Sequence, residues 1–407
     1  MRRVYDIVAG IDVHKKWLYV VIATEGGTEE RLRVGSTSRE LQKLAKQLKA
    51  AGVECVVMES TANYWRPVWA ALEGEFPLYL AQAQSNAAPH GRKTDYGDAI
   101  RLIRRFRAGE LRLSYVPEAE QRGWRLLTRT RVQYRRDITR LRNRMEGLLE
   151  ECRIKLSGVL SDLLGSSGRR ILRALIEGET DTQKLAALGD ASLKATPAEL
   201  ADALNGQLGD THRLLLEQSL ERIEALEADV EDLDKCLGEA QQAQQEVIRR
   251  LCAIPGVGVI AAREIVAELG PTAASFPTAA HAASWIGVCP GRQQSAGRSY
   301  SDACAKGSRN MRRILNQCAW AAVRTQGSWF QEWFRKKVPR LGIQKSIWAV
   351  AHRLERVIWI ILHEGVEYQE RSTSGNQAEY LKRRLKSTLR AMRKHGIDVQ
   401  AALAEGS

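Results

Sequence analysis

The sequence lacks long apolar runs and closely spaced cysteines. No stretch of about 18 consecutive apolar residues occurs, so we expect no membrane-spanning segment. The basic start, Met1-Arg2-Arg3, does not lead into the apolar segment of a signal peptide. The seven cysteines are scattered, without a C-x-x-C pair, which argues against a zinc site and against a disulfide framework. We therefore expect a cytoplasmic protein whose cysteines are reduced.

Acidic residues are outnumbered in this chain. The 48 aspartates and glutamates face 62 lysines and arginines, which gives a formal net charge of +14. A strongly basic balance favours a polyanionic partner, of which nucleic acid is the simplest. Hydrophobic residues still make up 44% of the chain, which suits ordinary folded cores rather than disorder. With 407 residues, the chain has room for two or three domains.

The N-terminal part of the sequence alternates between strand and helix patterns. Residues 4–12 and 17–23 are predicted strands, Gly26-Gly27 signals a turn, and residues 31–34 can form a third strand. Apolar spacing then predicts helix, strand, helix, strand and helix in that order. The resulting order, β-β-β-α-β-α-β-α, is that of the ribonuclease H-like fold. This fold places carboxylates at the ends of its first and fourth strands and on a later helix.

Four acidic residues occupy those positions. Asp12 ends the first apolar run, Glu59 ends a later one, and Asp95 and Asp98 stand three apart, where a helix would place both carboxylates on one face. Mg²⁺ prefers hard oxygen ligands, and a pair of such ions about 4 Å apart can clamp an in-line phosphoryl transfer. We therefore predict a catalytic metal site that holds a pair of Mg²⁺ ions and is formed by Asp12, Glu59, Asp95 and Asp98.

A rival interpretation applies to the segment Gly10-Ile11-Asp12-Val13-His14-Lys15-Lys16. Sugar kinases and actin-like ATPases open with a similar strand and turn that carry an aspartate. Those proteins also need Gly-rich phosphate loops later in the chain, and the sequence contains no convincing second loop. The D-x-x-D spacing of Asp95 and Asp98 does not belong to that class either. A metal-dependent nuclease site is therefore the favoured interpretation.

Two long amphipathic helices are predicted in the middle of the chain. Apolar residues step by three and four through 138–152 and again through 216–237, which is the spacing of heptad seams. The simplest arrangement is an antiparallel coiled coil tipped by a small, mostly helical insert, although a partner helix from another subunit fits equally well. The first helix carries many arginines and few acids, whereas a solvated face would mix both signs. We predict nucleic-acid contacts from Arg122, Arg125, Arg129 and Arg136.

A glycine-containing turn follows this helical region. In Ile254-Pro255-Gly256-Val257-Gly258, a Gly-x-Gly turn opens a predicted helix. Backbone N–H groups at such a helix start can face a phosphate. The pattern is typical of a helix-hairpin-helix-like element, which binds nucleic acid without regard to sequence. A plain turn at a helix start is the alternative, and we favour backbone contacts from Gly256 and Gly258.

A serine-bearing loop lies further along the chain. Ser295 stands beside Gly297 in a segment rich in glycine, arginine and serine. A serine is a poor nucleophile unless a base or a metal activates it, but cationic neighbours could hold a phosphodiester and stabilise the charge of its transition state. Judged from the residues alone, Ser299, Ser301 and Ser308 are equally available. The basic residues predicted to contact nucleic acid here are Arg292, Arg298, Lys306, Arg309 and Arg312.

Together these segments resemble the bacterial insertion-sequence transposases that have an Asp-Glu-Asp-Asp site and a second, serine-bearing domain, and whose relatives include the pilin-gene invertase. The resemblance covers nearly the whole chain in order. It rests on G-I-D-V-H-K at 10–15, M-E-S-T-A-N-Y-W at 58–65, K-T-D-Y-G-D-A at 93–99, I-P-G-V-G at 254–258, W-I-G-V-C-P at 285–290, Q-S-A-G at 294–297 and K-G-S-R-N-M-R-R-I-L at 306–315. Q-S-A-G departs from the family's usual Q-S-G, and K-G-S-R-N departs from K-x-G-N. Residues after 365 lie outside the resemblance.

The resemblance implies a DNA transposase or site-specific recombinase that acts on element ends and target DNA under the guidance of a non-coding RNA. It places the catalytic serine at Ser295, which would attack a phosphodiester to give a covalent phosphoserine. It places the metal-binding acids at Asp12, Glu59, Asp95 and Asp98. It also implies an active site shared between subunits, hence a homo-oligomer such as a dimer or tetramer, and a bacterial protein associated with the nucleoid.

The predicted architecture has four parts. They are an α/β ribonuclease H/RuvC-like catalytic domain at 1–115, a long α-helical coiled coil with a helical insert at 116–250, a mainly α serine-bearing domain with the helix-hairpin-helix-like element at 251–365, and a basic tail at 366–407. An alternative function is a RuvC-like, structure-selective endonuclease that resolves junctions with the four acids and without a covalent intermediate. A third hypothesis is a nucleic-acid-binding scaffold whose acids have lost their activity.

Overall fold

The computed structural model describes most of the chain. The chain divides into two compact units, residues 1–117 and residues 118–407. None of the helices in the described part of the chain combines the length and the apolar character that are needed to cross a bilayer. The described residues are 5–59, 62–86, 94–289, 293–295, 298–301, 304, 306–370 and 377–395. Within these ranges the side chains are described as well, except at 293–295, 298–301 and 377–384.

The first unit is built on a six-stranded mixed sheet. Along the chain its elements are β1 (Ile7–Val13), β2 (Trp17–Thr24), β3 (Glu29–Gly35), α1 (Ser38–Ala50), β4 (Cys55–Glu59), α2 (Trp65–Leu72), β5 (Leu78–Ala81), α3 (Asp95–Ala108) and β6 (Leu113–Ser114). The strand order in the sheet is β3-β2-β1-β4-β5-β6. β1 pairs antiparallel with β2 and parallel with β4, so it is a central strand. The predicted α/β domain is confirmed, and its element order is consistent with the ribonuclease H-like fold.

Successive side chains of β1 point to opposite faces of the sheet. Ile11 and the other odd-numbered residues pack on the side of α1 and α2, whereas Val8 packs on the side of α3. Gly10 and Asp12 follow Val8 at alternate positions and share its face. At Gly10 a Cβ atom would lie 2.6 Å from Ala99 O of α3. The helix therefore rests directly on the backbone of the central strand.

The second unit is mostly helical. Its elements are α4 (Ala119–Glu151), α5 (Leu156–Val159), α6 (Ser166–Glu177), α7 (Thr182–Ala187), α8 (Pro197–Ala203), α9 (Asp210–Ala240), α10 (Gln245–Cys252), α11 (Val259–Leu269), α12 (Ala279–Ile286), β7 (Gln293–Ser295), β8 (Arg298–Ser301), α13 (Arg309–Arg324), α14 (Trp329–Glu364) and α15 (Gln377–Lys394). Buried residues from α4 and from α9 to α14 form one core, which also contains Met392 of α15, 1% exposed. Helix α15 is thus packed against the rest of this unit.

Helices α4 and α9 pack antiparallel. Near the start of α4, Trp124 Nε1 donates a hydrogen bond to Ala240 O at the end of α9 (3.0 Å). At the opposite end of the pair, His212 Nε2 of α9 lies 3.7 Å from a carboxylate oxygen of Glu151. The two predicted apolar seams therefore meet within one chain, and their supercoiling as a coiled coil stays a prediction. The predicted seam residues that are buried with the short helices α5 to α8 are Ile138, Met145, Cys152, Leu216, Leu220 and Ile223. Leu149, outside the predicted seam, is buried there as well, whereas the predicted Leu148 is only partly buried.

A buried carboxylate joins α4 to α11. Glu268 is 1% exposed and accepts two hydrogen bonds from Arg129, one from Nε (2.9 Å) and one from Nη2 (3.0 Å). Arg125 Nε donates to Ala267 O (3.0 Å) and lies 3.7 Å from Glu268 Oε2. Two of the arginines predicted to contact nucleic acid therefore hold the second unit together. Their contact with nucleic acid stays a prediction.

Gly10→Ala is expected to destabilise the first unit, because a Cβ atom would lie 2.6 Å from Ala99 O and 2.7 Å from Ile103 Cγ1. Overpacking of this kind costs about 1–3 kcal/mol of unfolding free energy, which a lower midpoint of urea unfolding would report. Gly26→Ala is the matched control, since its Cβ atom would lie 3.9 Å from Thr24 Oγ1, an ordinary contact. Equal midpoints for the two variants would show that α3 does not rest on β1.

Arg129→Ala is expected to destabilise the second unit, because Glu268 would stay buried without its bidentate partner. Because Arg129 itself is 37% exposed, we expect a loss of about 1–3 kcal/mol, the cost of leaving a buried polar group without its partner, measurable in the same urea titration. Arg136→Ala changes an exposed arginine of the same helix and should leave the midpoint unchanged. A loss under about 0.5 kcal/mol, the size of an ordinary surface substitution, would mean that Arg125 alone neutralises Glu268.

Candidate active site

Two neighbouring parallel strands carry the first pair of predicted acids. Asp12 lies in β1 and is 8% exposed, and Glu59 is the last residue of β4. Ile11 stands opposite Met58 in the parallel register, so Asp12 and Glu59 follow side by side. Strand alternation directs both side chains to the face covered by α3. Asn86 Nδ2 donates a hydrogen bond to Glu59 Oε2 (2.8 Å), which fixes that carboxylate.

The second pair of acids stands in the first turn of α3. Thr94 caps the helix: its Oγ1 accepts a hydrogen bond from Gly97 N (3.2 Å), and its carbonyl oxygen accepts one from Asp98 N (2.9 Å). Asp95 is the first helical residue, and Asp98, 5% exposed, lies almost one turn later. Arg101 forms an ion pair with Asp98. The capped start of α3 therefore holds both carboxylates on the helix side that meets β1.

Burial and repulsion from neighbouring acids both change the pKa of the Asp12 carboxyl group. Burial raises the pKa of its carboxyl group above the usual value, because the charged form loses solvation, and the charges of Asp98 and Glu59 raise this pKa further. His14 acts in the opposite direction through its charge and its hydrogen bond. The carboxylates of Glu59 and Asp98 thus lie close enough to that of Asp12 to affect its ionisation. Asp95 lies beside the same group, because the ring of His14 contacts the carboxylates of both Asp12 and Asp95.

His14 is a member of the cluster that was not predicted from the sequence. Its Nε2 lies 3.1 Å from Asp12 Oδ2 and 3.4 Å from Asp95 Oδ1. The residue follows Val13, the last residue of β1. No spacing rule singles it out, because its second carboxylate partner, Asp95, lies on α3, far along the chain. Its role becomes visible once α3 places Asp95 beside the end of β1.

The donor atoms of this cluster suit a divalent metal ion. Asp12, His14 and Asp95 can each offer one ligand atom, and these atoms lie within 4.8 Å of one another. Carboxylate oxygen suits Mg²⁺ and Mn²⁺, and imidazole nitrogen suits transition metals. A bound cation would also reduce the repulsion that Asp98 and Glu59 add. The structure therefore brings the four predicted acids together, and their assigned roles in metal binding and catalysis stay predictions.

The predicted serine lies in a short hairpin of the second unit. β7 pairs antiparallel with β8, and Ser295 stands opposite Arg298 in the register. The side chains of Ser295 and Arg298, and the whole of Arg292, lie outside the described residues, so their assigned roles stay predictions. Ser308, an alternative serine, accepts a hydrogen bond at Oγ from Met311 N (3.3 Å) and caps α13. Its hydroxyl group therefore has a structural use.

The basic residues after the hairpin differ in their surroundings. Arg312 donates a hydrogen bond from Nη1 to Gly287 O. Its guanidinium group also lies 4.3 Å from the centre of the Trp348 ring, a cation–π contact that holds it against the protein. Lys306 and Arg309 are exposed and accessible to a phosphate backbone. Nucleic-acid contact by Lys306, Arg309 and Arg312 stays a prediction.

The two glycines of the I-P-G-V-G turn are placed differently. Gly256 has a φ of +83°, and a Cβ atom there would lie 2.4 Å from Cys318 O and from Ala322 N, so its backbone packs against α13. Gly258 is the N-cap of α11, and a Cβ atom there would meet no atom within 4 Å in the described part of the chain. Gly256 thus permits a close helix contact, whereas Gly258 lies at an open helix start. Backbone contact with nucleic acid by either glycine stays a prediction.

The arginines predicted on α4 fall into two groups. Arg125 and Arg129 are engaged with the end of α11. Arg122 is half-buried and Arg136 is exposed. Arg136 is therefore accessible to a nucleic-acid backbone without any change in the fold of the second unit.

Two protein-family models match this chain. One, which represents the DEDD transposase domain of IS110 and is described as "Transposase", matches residues 9–154. The other, described as "Transposase IS116/IS110/IS902 family", matches residues 248–335. The first match contains the four acids of the cluster and His14, and the second contains the serine hairpin and the I-P-G-V-G turn. The two matches do not overlap, and together they cover more than half of the chain.

Two curated proteins are similar to part of the chain. The transposase for insertion sequence element IS1328 of Yersinia enterocolitica is 28% identical over 132 residues, which are 31% of this chain and 39% of that protein. The insertion element IS110 uncharacterized 43.6 kDa protein of Streptomyces coelicolor is 26% identical over 126 residues, which are 31% of each chain. The chain thus spans about a third of the length of the curated relatives it matches. Because the two domain models together match more than half of the chain, the chain belongs to the IS110/IS116/IS902 family of insertion-sequence transposases.

Proposed function

We propose that this protein is a DNA transposase that recombines DNA by metal-dependent phosphoryl transfer. The observation that carries the proposal is the convergence of Asp12, Glu59, Asp95 and Asp98, from two strands and one helix, on one face of the sheet. Membership of a transposase family supports a role in cleaving and rejoining DNA. The acids lie in the segment that matches the DEDD transposase model.

The contribution of the first unit is to hold ligand groups in place before the substrate arrives. β1 fixes Asp12, Asn86 fixes Glu59, and the capped start of α3 fixes Asp95 and Asp98. A pair of divalent cations in such a site, for which the sequence predicts Mg²⁺, would polarise a phosphodiester and stabilise the charge that develops on it. Because the carboxylates are already positioned, little reorganisation is needed during the reaction.

Ser295 is the proposed nucleophile. Its Oγ would form a bond to phosphorus while the bond between phosphorus and a deoxyribose oxygen breaks, and the hydroxyl proton would pass to the departing oxygen. The resulting phosphoserine keeps a phosphodiester linkage, so the hydroxyl group of another DNA strand can reverse the step and rejoin the DNA. This covalent step would separate recombination from hydrolysis.

The protein is also proposed to bind nucleic acid and to act as a homo-oligomer. The net charge of +14 suits DNA at element ends and target sites together with a non-coding guide RNA, which the resemblance to the family implies. The exposed Arg136, Lys306 and Arg309 are proposed backbone contacts. A homo-oligomer, dimer or tetramer, would follow from an active site that is shared between subunits.

A second candidate function needs the acids alone. The acidic cluster lies within a unit that has its own buried core, and no serine is required for metal-dependent hydrolysis of DNA. A RuvC-like, structure-selective endonuclease would therefore use the same four carboxylates. It would release hydrolysed ends and form no bond between protein and DNA.

Ser295→Ala is expected to abolish strand exchange and the covalent protein–DNA adduct while nucleic-acid binding is retained, because the change removes a single oxygen atom. The adduct is sought on denaturing gels with trapped DNA substrate, guide RNA and divalent metal. Ser299→Ala, in the same hairpin, is the matched control and should keep the adduct.

Asp12→Asn should lose cleavage and adduct together in the same experiment, because an amide is a weaker metal ligand than a carboxylate. Hydrolysed ends without any adduct in the unmodified protein would favour the endonuclease. Full strand exchange by Ser295→Ala would remove Ser295 from the chemistry.

Arg136→Ala is expected to weaken binding of DNA and RNA without loss of stability, because an exposed arginine that contacts a phosphate releases a counterion. The slope of log affinity against log salt concentration should become shallower by about 1, measurable by fluorescence anisotropy. Arg222→Ala, an exposed arginine on α9, is the control and should leave the slope unchanged. An unchanged slope for Arg136→Ala as well would exclude this residue from the interface.

A further inference from the structure

Two contacts besides those with the carboxylates define the position of His14. Its backbone N–H donates to Trp17 O (3.0 Å), which closes the turn between β1 and β2. Its ring meets Tyr19 edge-on, with centroids 5.7 Å apart and an interplanar angle of 83°. Tyr19 in turn meets Tyr96 of α3 edge-on, with centroids 5.2 Å apart. A column of aromatic rings therefore links the histidine to the helix that carries Asp95.

Distances within the cluster match those of ligands around one ion. Six ligands on an octahedral ion, with bonds of about 2.1 Å, place neighbouring ligand atoms about 3.0 Å apart. His14 Nε2 lies 3.1 Å from Asp12 Oδ2 and 3.4 Å from Asp95 Oδ1. The nitrogen thus faces two carboxylates from two different elements at nearly the separation that a shared ion imposes.

The exposure of the group is compatible with an ion that must also meet a substrate. The imidazole of His14 is 49% exposed and the carboxylate of Asp95 is 42% exposed, whereas that of Asp12 is 12% exposed. One ligand is therefore anchored in the protein and two lie at its surface. An ion between them could keep open positions for water and phosphate, as a catalytic site requires.

We propose that His14 Nε2 is a direct ligand of a divalent ion held with Asp12 and Asp95, and that this mixed nitrogen–oxygen site binds Mn²⁺ in preference to Mg²⁺. The inference rests on the proposed metal-dependent function and adds the identity of a ligand and of the preferred metal. Mg²⁺ binds through hard oxygen ligands and keeps its waters. Imidazole nitrogen is a softer donor that suits transition metals, so its presence raises the affinity for Mn²⁺ relative to Mg²⁺.

The test is electron spin-echo spectroscopy of Mn²⁺ added to the full-length protein without DNA or RNA. A directly bound imidazole modulates the echo through its nitrogen nucleus. Protein grown with histidine that carries the heavier nitrogen isotope should show the altered modulation, and this comparison requires no substitution. His14→Ala should lose the modulation and bind Mn²⁺ at least about tenfold more weakly, because loss of an outer-shell partner alone already costs 10–100-fold.

Metal preference supplies a second readout. In a competition titration, Mg²⁺ should displace Mn²⁺ less readily from the unmodified protein than from His14→Ala, so the ratio of the two dissociation constants should move towards one by about tenfold in the variant. His14→Gln keeps a side chain of similar length with an oxygen donor and should bind Mg²⁺ while losing the nitrogen modulation. His281→Ala, which changes an exposed histidine of the second unit, should match the unmodified protein in both readouts.

Two outcomes separate this inference from the proposed function. Mn²⁺ binding that is lost in Asp12→Asn but shows no nitrogen modulation, with His14→Ala unchanged, would overturn the ligand role of His14 and leave the acidic metal site intact. Absence of saturable Mn²⁺ binding, or binding that Asp12→Asn does not weaken, would overturn the metal site and with it the proposed phosphoryl transfer.

Discussion

The close contact between α3 and the backbone of β1 is the constraint on which the candidate site depends. Gly10 has no side chain, so the helix lies directly on the central strand of the sheet. The first turn of the helix then stands beside Asp12, two positions further along the strand. Asp95 and Asp98 share that turn, so any outward shift of the helix would move both carboxylates away from Asp12 together.

This convergence carries an electrostatic penalty that the surroundings only partly offset. Asp12 is buried next to other acids, and the pKa of its carboxyl group is raised as a result. Arg101 pairs with Asp98, and His14 lies between Asp12 and Asp95. Glu59 accepts a hydrogen bond from an uncharged amide. A site that stays rich in negative charge at the protein surface is poorly suited to a phosphate alone and well suited to cations that bridge it to one.

The positions of the acids could be predicted from the sequence, but the residues that contact them could not. Strand ends and the three-residue spacing of Asp95 and Asp98 leave local signals, so the positions of the four acids could be predicted together with the mixed α/β domain. His14 could not, because its meaning depends on a helix that begins some 80 residues later. Arg129 illustrates the same limit. The arginines of α4 have few acids near them in the sequence, but Arg129 has an acidic partner, Glu268, that lies 139 residues further along the chain. Local charge patterns cannot reveal contacts of that range.

The ion pairs nevertheless leave the argument from net charge intact. An arginine that neutralises a buried glutamate, as Arg129 does at Glu268, adds nothing to the net charge, since the two charges cancel. The excess of +14 therefore resides outside such pairs, and long charged side chains outside pairs are found at the surface. Within the part of the chain that the structure describes, the exposed Arg136, Lys306 and Arg309 belong to that group. Composition thus predicts a polyanionic partner, while the fold decides which basic residues are available to it. An arginine row is informative only after its buried acids have been found.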